Sequence, residues 1–402
     1  MSKVFKHQLA WTSITQYAGY FYPVIVTPIV ARSLGLENFA TYAIVLAFIA
    51  IISALVEYST NTVAVTFTVQ KKFCTESIVS SVYQLKTILL IFILLIYILV
   101  WFLFKKQVPI AYVNLPYALP FVFGAWLSPS WYLSSISRAD IAGKSTLICR
   151  IFIIPIMVCM VDSSDDLKIA LLLTTLPNLL ASCFLINQAL KIGMPMKMNF
   201  KVANLSELFF ACTPIYISTI AMQIYSNFPL FAIPSLLGNS AASQFAAADR
   251  VIRLISPLLA PLTTVLLPYT SQKNSSNHNI LLLTYVAIGI IFCSGIFLSA
   301  DWIVKILFSS EFGGSADIIK IYSLYPILYS INIAIGLHIL VASGHRSKYF
   351  VGHAIGAFFS LVSTWYFIEV WGVNGVIAVI LMVELLVLLV LGYFAIGLKK
   401  DF

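Results

Sequence analysis

From Thr87 to Phe104 the chain runs for eighteen residues without a charge, a glycine or a proline. A helix of that length just spans the ~30 Å of hydrocarbon in a bilayer. Comparable apolar runs recur along all 402 residues, the last from Val376 to Gly397, broken only by the carboxylate of Glu384. A membrane β-barrel would instead show alternating strands of about ten residues. With 60% hydrophobic and 10% charged residues, the chain stands well below the roughly one-quarter charged content of soluble domains. The expected fold class is an all-α membrane protein.

The apolar runs place twelve spans at 8–31, 39–68, 79–104, 110–136, 145–161, 167–190, 207–236, 240–269, 280–300, 316–342, 349–369 and 374–397. Basic residues are retained on the cytoplasmic side, which orients these spans. With the N-terminus inside, the cytoplasmic segments hold Lys3, Lys6, Lys71, Lys72, Arg138, Lys144, Lys191, Lys197, Lys201, Lys273, Arg346, Lys348, Lys399 and Lys400. The outer side holds Arg32, Lys105, Lys106, Lys168, Lys305 and Lys320. Both termini are therefore expected in the cytosol, with the first helix retained rather than cleaved as a signal. The net charge of +9 is scattered over short loops, a pattern of membrane topology and not of nucleic-acid binding.

Leu34-Gly35-x3-Phe39-Ala40-x-Tyr42-Ala43 is echoed 203 positions later by Leu237-Gly238-x3-Ala242-Ser243-x-Phe245-Ala246. Each copy follows an apolar segment carrying a Gln and prolines: Gln16, Pro23 and Pro28, then Gln223, Pro229 and Pro234. Broken helices in corresponding halves point to a transporter's binding site. The expected organisation is an N-terminal six-helix bundle at 1–192, a lysine-rich cytoplasmic linker at 193–204 and a C-terminal six-helix bundle at 205–402. No segment between the spans is long enough for an ATPase domain.

Ionisable groups inside spans are costly unless paired or wet, and mark functional pathways. Asp249 and Arg253 stand four residues apart, and Arg250 and Arg253 three, so all three are expected on one side of a helix. The competing reading is an Asp–Arg clamp between helices. Glu57 on the second span either binds a proton or sodium ion or pairs with an arginine, and Glu384 on the last has no basic residue near it in the chain. Arg32 closes the first span, and Arg150 and Lys86 either face the interior or reach the headgroups, Lys86 more simply the latter. Gln16 and Tyr20, with Gln223, Tyr225 and Asn227, form the mixture of aromatic faces and amides that holds sugars; interfacial belts and interhelical hydrogen bonds are the plainer explanation. Gly143-Lys144-Ser145 lacks the first glycine of a phosphate-binding loop. Gly352-x3-Gly356 suits close helix packing. The six cysteines and five histidines show no metal-binding spacing, and nothing resembles a hydrolytic triad, so neither an enzyme nor a metal site is expected.

Four stretches resemble a known group: Pro28-Ile-Val-Ala-Arg32-Ser-Leu34-Gly35 leading to Phe39-Ala40-x-Tyr42; Pro129-Ser-Trp131-Tyr132 before a basic loop; Ala248-Asp249-Arg250 leading to Leu267-Pro268; and Ala342-Ser-Gly344 echoing Ala142-Gly143. The chain resembles the Wzx-type O-antigen flippases, in the polysaccharide transporter branch of the superfamily that includes multidrug and toxic-compound extrusion carriers. The resemblance implies two pseudo-symmetric six-helix bundles around a central cavity in the bacterial inner membrane. It implies a substrate of undecaprenyl-pyrophosphate-linked oligosaccharide moved to the periplasmic leaflet by alternating access. A diphosphate leaving water needs cationic partners, for which Arg32, Arg150, Arg250 and Arg253 are the candidates. Glu57, Asp249 and Glu384 would couple an ion (H+ or Na+) or pair with those cations. No other cofactor is expected; membrane lipid, a polysaccharide polymerase and a chain-length regulator are the expected partners. The alternatives are a drug or cation antiporter of the same fold, which would favour embedded carboxylates, and a polysaccharide polymerase or ligase, which would need a larger outer loop than 301–315.

Overall fold

A computed structural model describes the backbone of residues 3–104, 109–195, 202–270 and 278–400, and the side chains there except at 3–21, 202–203, 261, 264–265, 267–270, 278, 346 and 398–400. Of the basic residues used to orient the chain, Lys105, Lys106, Lys197, Lys201 and Lys273 lie outside the described residues, as do the side chains of Lys3, Lys6, Arg346, Lys399 and Lys400.

The described residues fold as helices without a strand. In order they are α1 (Lys3–Glu57), α2 (Thr60–Val69), α3 (Thr75–Phe104), α4 (Ile110–Asn114), α5 (Leu119–Leu127), α6 (Ser130–Ser135), α7 (Ala139–Met160) and α8 (Leu167–Lys191). Then follow α9 (Val202–Ile252), α10 (Ile255–Thr270), α11 (His278–Leu307), α12 (Ser315–Tyr322), α13 (Tyr325–Ile335), α14 (Arg346–Trp371) and α15 (Val373–Lys400). By length and composition, ten helical runs among the described residues are able to cross a membrane. Their apolar surfaces are left bare: on α3, Ile88, Phe92, Leu95, Leu99 and Phe102 are each more than half exposed, and their spacing of four and three residues puts them on one face. An apolar stripe of that kind needs lipid as its solvent. The chain is a multi-pass membrane protein.

Two of the ten runs, of 48 and 57 residues, are far longer than a bilayer requires. Both are broken by a glycine. Gly35 sits at φ 67°, ψ −178° and Gly238 at φ 83°, ψ 171°, a region of backbone space open essentially to glycine alone. The two turns thus share one conformation. The positions after each also match in burial: Phe39, Ala40, Tyr42 and Ala43 on one side, Ala242, Ser243, Phe245 and Ala246 on the other, are all under 5% exposed. The repeat is structural as well as textual.

Packing divides the chain into two compact units, residues 1–34 with 41–220, and 35–40 with 221–402. The core of the first unites Phe67, Val82, Trp131, Leu133, Leu185 and Leu208. That of the second gathers around Tyr225, Leu340, Val379, Val383 and Leu391. Within the second unit, the hydroxyl of Ser243 donates to the carbonyl of Leu36, Asn239 Nδ2 donates to Glu37 Oε1 at 2.7 Å, and Phe39 meets Phe312 edge-on at 5.5 Å. Gly352 and Gly356 do permit close packing: a methyl at either would come within about 3.0 Å of Leu391 or Val387 on α15.

The span expected at 39–68 is not one helix. Tyr58 and Ser59 take left-handed φ of 43° and 56°, a strained choice for residues other than glycine, and separate α1 from α2. The break is held by packing. Tyr58 stacks on Phe209 at 5.0 Å and Tyr216 at 4.2 Å, its hydroxyl lies 3.2 Å from Thr213 Oγ1, and the hydroxyl of Thr60 donates to the Glu57 carbonyl at 2.7 Å.

Candidate functional site

In the first unit, the backbone break places Glu57 on the wall of a cavity of about 340 Å³. Apart from Leu185, the other lining groups are small or polar: Ser128, Ser130, Thr146, Asn178 and Ser182 supply hydroxyls and an amide, and Ala125, Ala139, Ala142 and Gly143 leave the room. The side chain of Asn61 and the charge of Lys86 both act on Glu57. Lys86 is wholly buried, its ammonium donating to the Ala125 carbonyl at 3.0 Å. That corrects the expectation that Lys86 reaches the headgroups. It stands eleven residues past Thr75, about 16 Å along the helix, and the residues from Ser77 to Lys86 are all buried. Asn178 Nδ2 donates to the Phe121 carbonyl at 3.0 Å and crowds Gly124, where any side chain would collide with it.

In the second unit, Asp249 and Arg253 form the expected i,i+4 pair. Arg253 Nε lies 2.7 Å from both Asp249 oxygens, and Nη2 donates to the Ser226 carbonyl at 3.1 Å. The Tyr322 hydroxyl donates to Asp249 Oδ1 at 3.0 Å, and the guanidinium lies 5.6 Å from the centre of the Tyr325 ring. Tyr325 stacks on Tyr329 at 5.5 Å, whose hydroxyl donates to Ser256 Oγ at 3.0 Å. The result is a cation held in an aromatic box, with 27% of its side chain exposed. Arg250 is exposed, about 100° around the helix from Asp249.

Glu384 is 1% exposed, and Asn332 4%. Asn332 Nδ2 donates to Glu384 Oε2 at 2.6 Å and to its main-chain carbonyl at 2.9 Å. The basic residue missing near Glu384 in sequence is supplied in space by Arg253, whose charge acts on it.

The remaining candidates are dispersed. Arg32 is exposed at the end of the segment before Gly35. The Arg150 guanidinium lies 5.3 Å from the centre of the Tyr22 ring. Asn227 Nδ2 donates to both Gln223 Oε1 and the Gln223 carbonyl at 2.9 Å, so those two amides largely satisfy each other. Tyr225 is buried, its ring parallel to that of His353 at 6.0 Å. The side chains of Gln16 and Tyr20 lie outside the described residues. Among the described residues no group of His, Cys, Asp and Glu is arranged to hold a metal ion.

Sequence reasoning missed Asn178, Asn332 and the tyrosines at 322, 325 and 329. Asn61 and Lys86 carried a signal in their depth inside apolar runs. The tyrosines carried none that separates them from interfacial rings.

Comparison with known proteins follows this geometry. The chain is 23% identical over 354 residues to the Escherichia coli (strain K12) protein named "Putative O-antigen transporter", covering 86% of this chain and 85% of that one. Among solved structures it superposes on the lipid II flippase MurJ in an inward closed conformation with a TM-score of 0.75 at 17% identity, over 98% of this chain and 87% of the other. It also superposes on an inward-facing multidrug resistance transporter of the MATE family with a TM-score of 0.74 at 15% identity, over 95% and 96%. The fold is therefore that of the MATE/MOP flippases. Residues 5–274 match the family described as polysaccharide biosynthesis protein, and the chain belongs to that family.

Proposed function

We propose that this chain flips a lipid-linked oligosaccharide, carried on undecaprenyl pyrophosphate, from the cytoplasmic to the periplasmic leaflet of a bacterial inner membrane. The observation that carries the reading is the likeness to an O-antigen transporter along most of both chains, joined to a guanidinium kept part-exposed at membrane depth by Asp249 and Ser226. A diphosphate that leaves water needs such a partner.

The ten membrane-competent runs, two of them divided at Gly35 and Gly238, support twelve crossings. An even number puts both termini on one side, which the excess of basic residues makes the cytoplasmic one, with two six-helix halves at 1–192 and 205–402 joined through 193–204. Alternating access around a cavity between the halves moves glycan and diphosphate while the polyprenyl tail stays in lipid. Arg32, Arg150 and Arg250 are proposed as further anion contacts along that path, and Glu57 and Glu384 as the groups that tie transport to an ion gradient. No covalent bond is made or broken. A polymerase and a chain-length regulator would take over the product at the outer face.

Depletion of the protein in its host is expected to leave intact lipid-linked repeat units on the inner leaflet and to remove surface polysaccharide. Repeat units that reach the outer leaflet singly after depletion would point to a polymerase. Unchanged polysaccharide with increased sensitivity to cationic drugs would point to the extruder reading, which the fold equally accommodates.

A further inference from the structure

Glu384 is eleven residues into α15, about 16 Å from its start, and almost no water reaches it. Its Oε2 accepts from Asn332, but its Oε1 has no hydrogen-bond partner, and neither has Asn332 Oδ1. Two unfilled acceptors on one hydrogen-bonded pair is an unfavourable arrangement in a medium of low polarity. Both belong to groups that differ by a single proton from mutual satisfaction. A carboxylic acid and a primary amide close a reciprocal pair: the amide N–H donates to one carboxyl oxygen while the acid O–H donates to the amide oxygen. Here the first of those bonds is already made.

Charge counting leads to the same place. The groups that act on Glu384 from the surrounding elements are Arg253 just beyond α9, Tyr225 on α9, Tyr322 on α12, Tyr325 on α13 and Tyr349 on α14. His353 lies behind Tyr225 and Tyr349, 3.5 Å from the Tyr225 hydroxyl and with its Nε2 unpartnered. The tyrosines are neutral, which leaves two carboxylates, Asp249 and Glu384, against one guanidinium. Arg253 gives its Nε to Asp249. One negative charge is left over in the cluster, whose most buried carboxylate is Glu384, and one proton there removes it.

We infer that Glu384 and Asn332 form a proton-binding site, in which a proton on Glu384 Oε1 is donated to Asn332 Oδ1. This deepens the transport reading by naming the coupling ion, since a proton taken up here in one conformation and released in another would link the cycle to the proton gradient. Its balance is simple: H+ adds to the carboxylate, no bond between heavy atoms changes, and the cluster goes from one net negative charge to none.

Infrared difference spectroscopy on the full-length protein in lipid nanodiscs, without substrate, tests the site independently of flipping. An alkaline step is expected to remove a protonated-carboxyl C=O band and to create a carboxylate band. The change should be lost in Glu384→Gln, whose amide reproduces the reciprocal pair and should fold. In Asn332→Leu the acid is kept and the band should move to higher frequency, as its carbonyl loses the amide donor. Exchange of K+ for Na+ should leave the band in place. The inference is overturned if the band survives in Glu384→Gln, if the pH response is lost in His353→Gln instead, if Na+ abolishes the band, or if no protonated carboxyl is seen at any pH at which the protein stays folded. A protein that passes this test and flips nothing would retain its proton site and lose the proposed function.

Discussion

In the first unit Asn61 and the charge of Lys86 act on the Glu57 carboxylate; in the second, Glu384 accepts from Asn332, while the cation it feels, Arg253, is bonded to Asp249. Each unit therefore sets a carboxylate near an asparagine, but among the described residues the cation that acts on Glu384 is already bonded to a second carboxylate. The surroundings differ accordingly. Glu57 lines a cavity of hydroxyls and small residues, next to a strained turn at Tyr58 and Ser59. Glu384 lies 1% exposed in a packed cluster of tyrosines. A duplicated scaffold has kept the same glycine turns and given its two carboxylates different means of neutralisation.

The largest effect expected from breaking this comparison is at Arg253. Arg253→Ala leaves the half-buried Asp249 without its cation, at a cost of about 1–3 kcal/mol, and should abolish surface polysaccharide. Arg253→Lys keeps the charge but not the fork and should restore part of both. Thermal unfolding in detergent and a polysaccharide gel separate the two losses. Next is Lys86→Met, which leaves Glu57 unbalanced. If Lys86 neutralises Glu57, adding Glu57→Gln should recover part of the lost stability, with a coupling of about 1–2 kcal/mol in a double-mutant cycle. Strict additivity would mean that the two groups do not depend on each other.

Smaller still are the turns. Gly35→Ala and Gly238→Ala should each cost about 1–3 kcal/mol through backbone strain alone, since a methyl at 35 meets nothing nearer than Glu311 Oε2 at 3.6 Å and one at 238 meets nothing within 4 Å. Similar losses at both would sharpen the repeat; a loss at one only would show that the turns bear different loads. The smallest effect on stability is expected for Glu384→Gln, whose amide keeps the Asn332 hydrogen bond. Its unfolding midpoint should stay near wild type at low pH and fall less than the wild-type midpoint as pH rises, since the proton it no longer binds cannot be lost.

Much of this was legible in the chain because it depends on local rules. Apolar runs specify spanning helices, the paired Leu-Gly turns mark the repeat, and the i,i+4 spacing of Asp249 and Arg253 fixes their ion pair. What the chain hides is long-range. Asn332 lies 52 residues from Glu384, and nothing local announces that they meet. Tyr322 and Tyr325 read as interfacial rings until they are seen against Arg253. The break after Glu57 uses neither glycine nor proline, so it depends on Phe209, Thr213 and Tyr216, about 150 residues away. Lys86 was misjudged because reach to the headgroups depends on depth within the fold, which composition does not give.

Transport itself is tested most directly with purified protein in sealed vesicles that carry a lipid-linked oligosaccharide in both leaflets and a glycosidase outside only. The account predicts that wild-type protein makes the inner-leaflet pool accessible, so that cleavage passes the outer-leaflet fraction and runs toward completion. Arg253→Ala, inserted to the same level, should stop at that fraction. Cleavage that halts at the outer-leaflet fraction with active, correctly folded wild-type protein would contradict it.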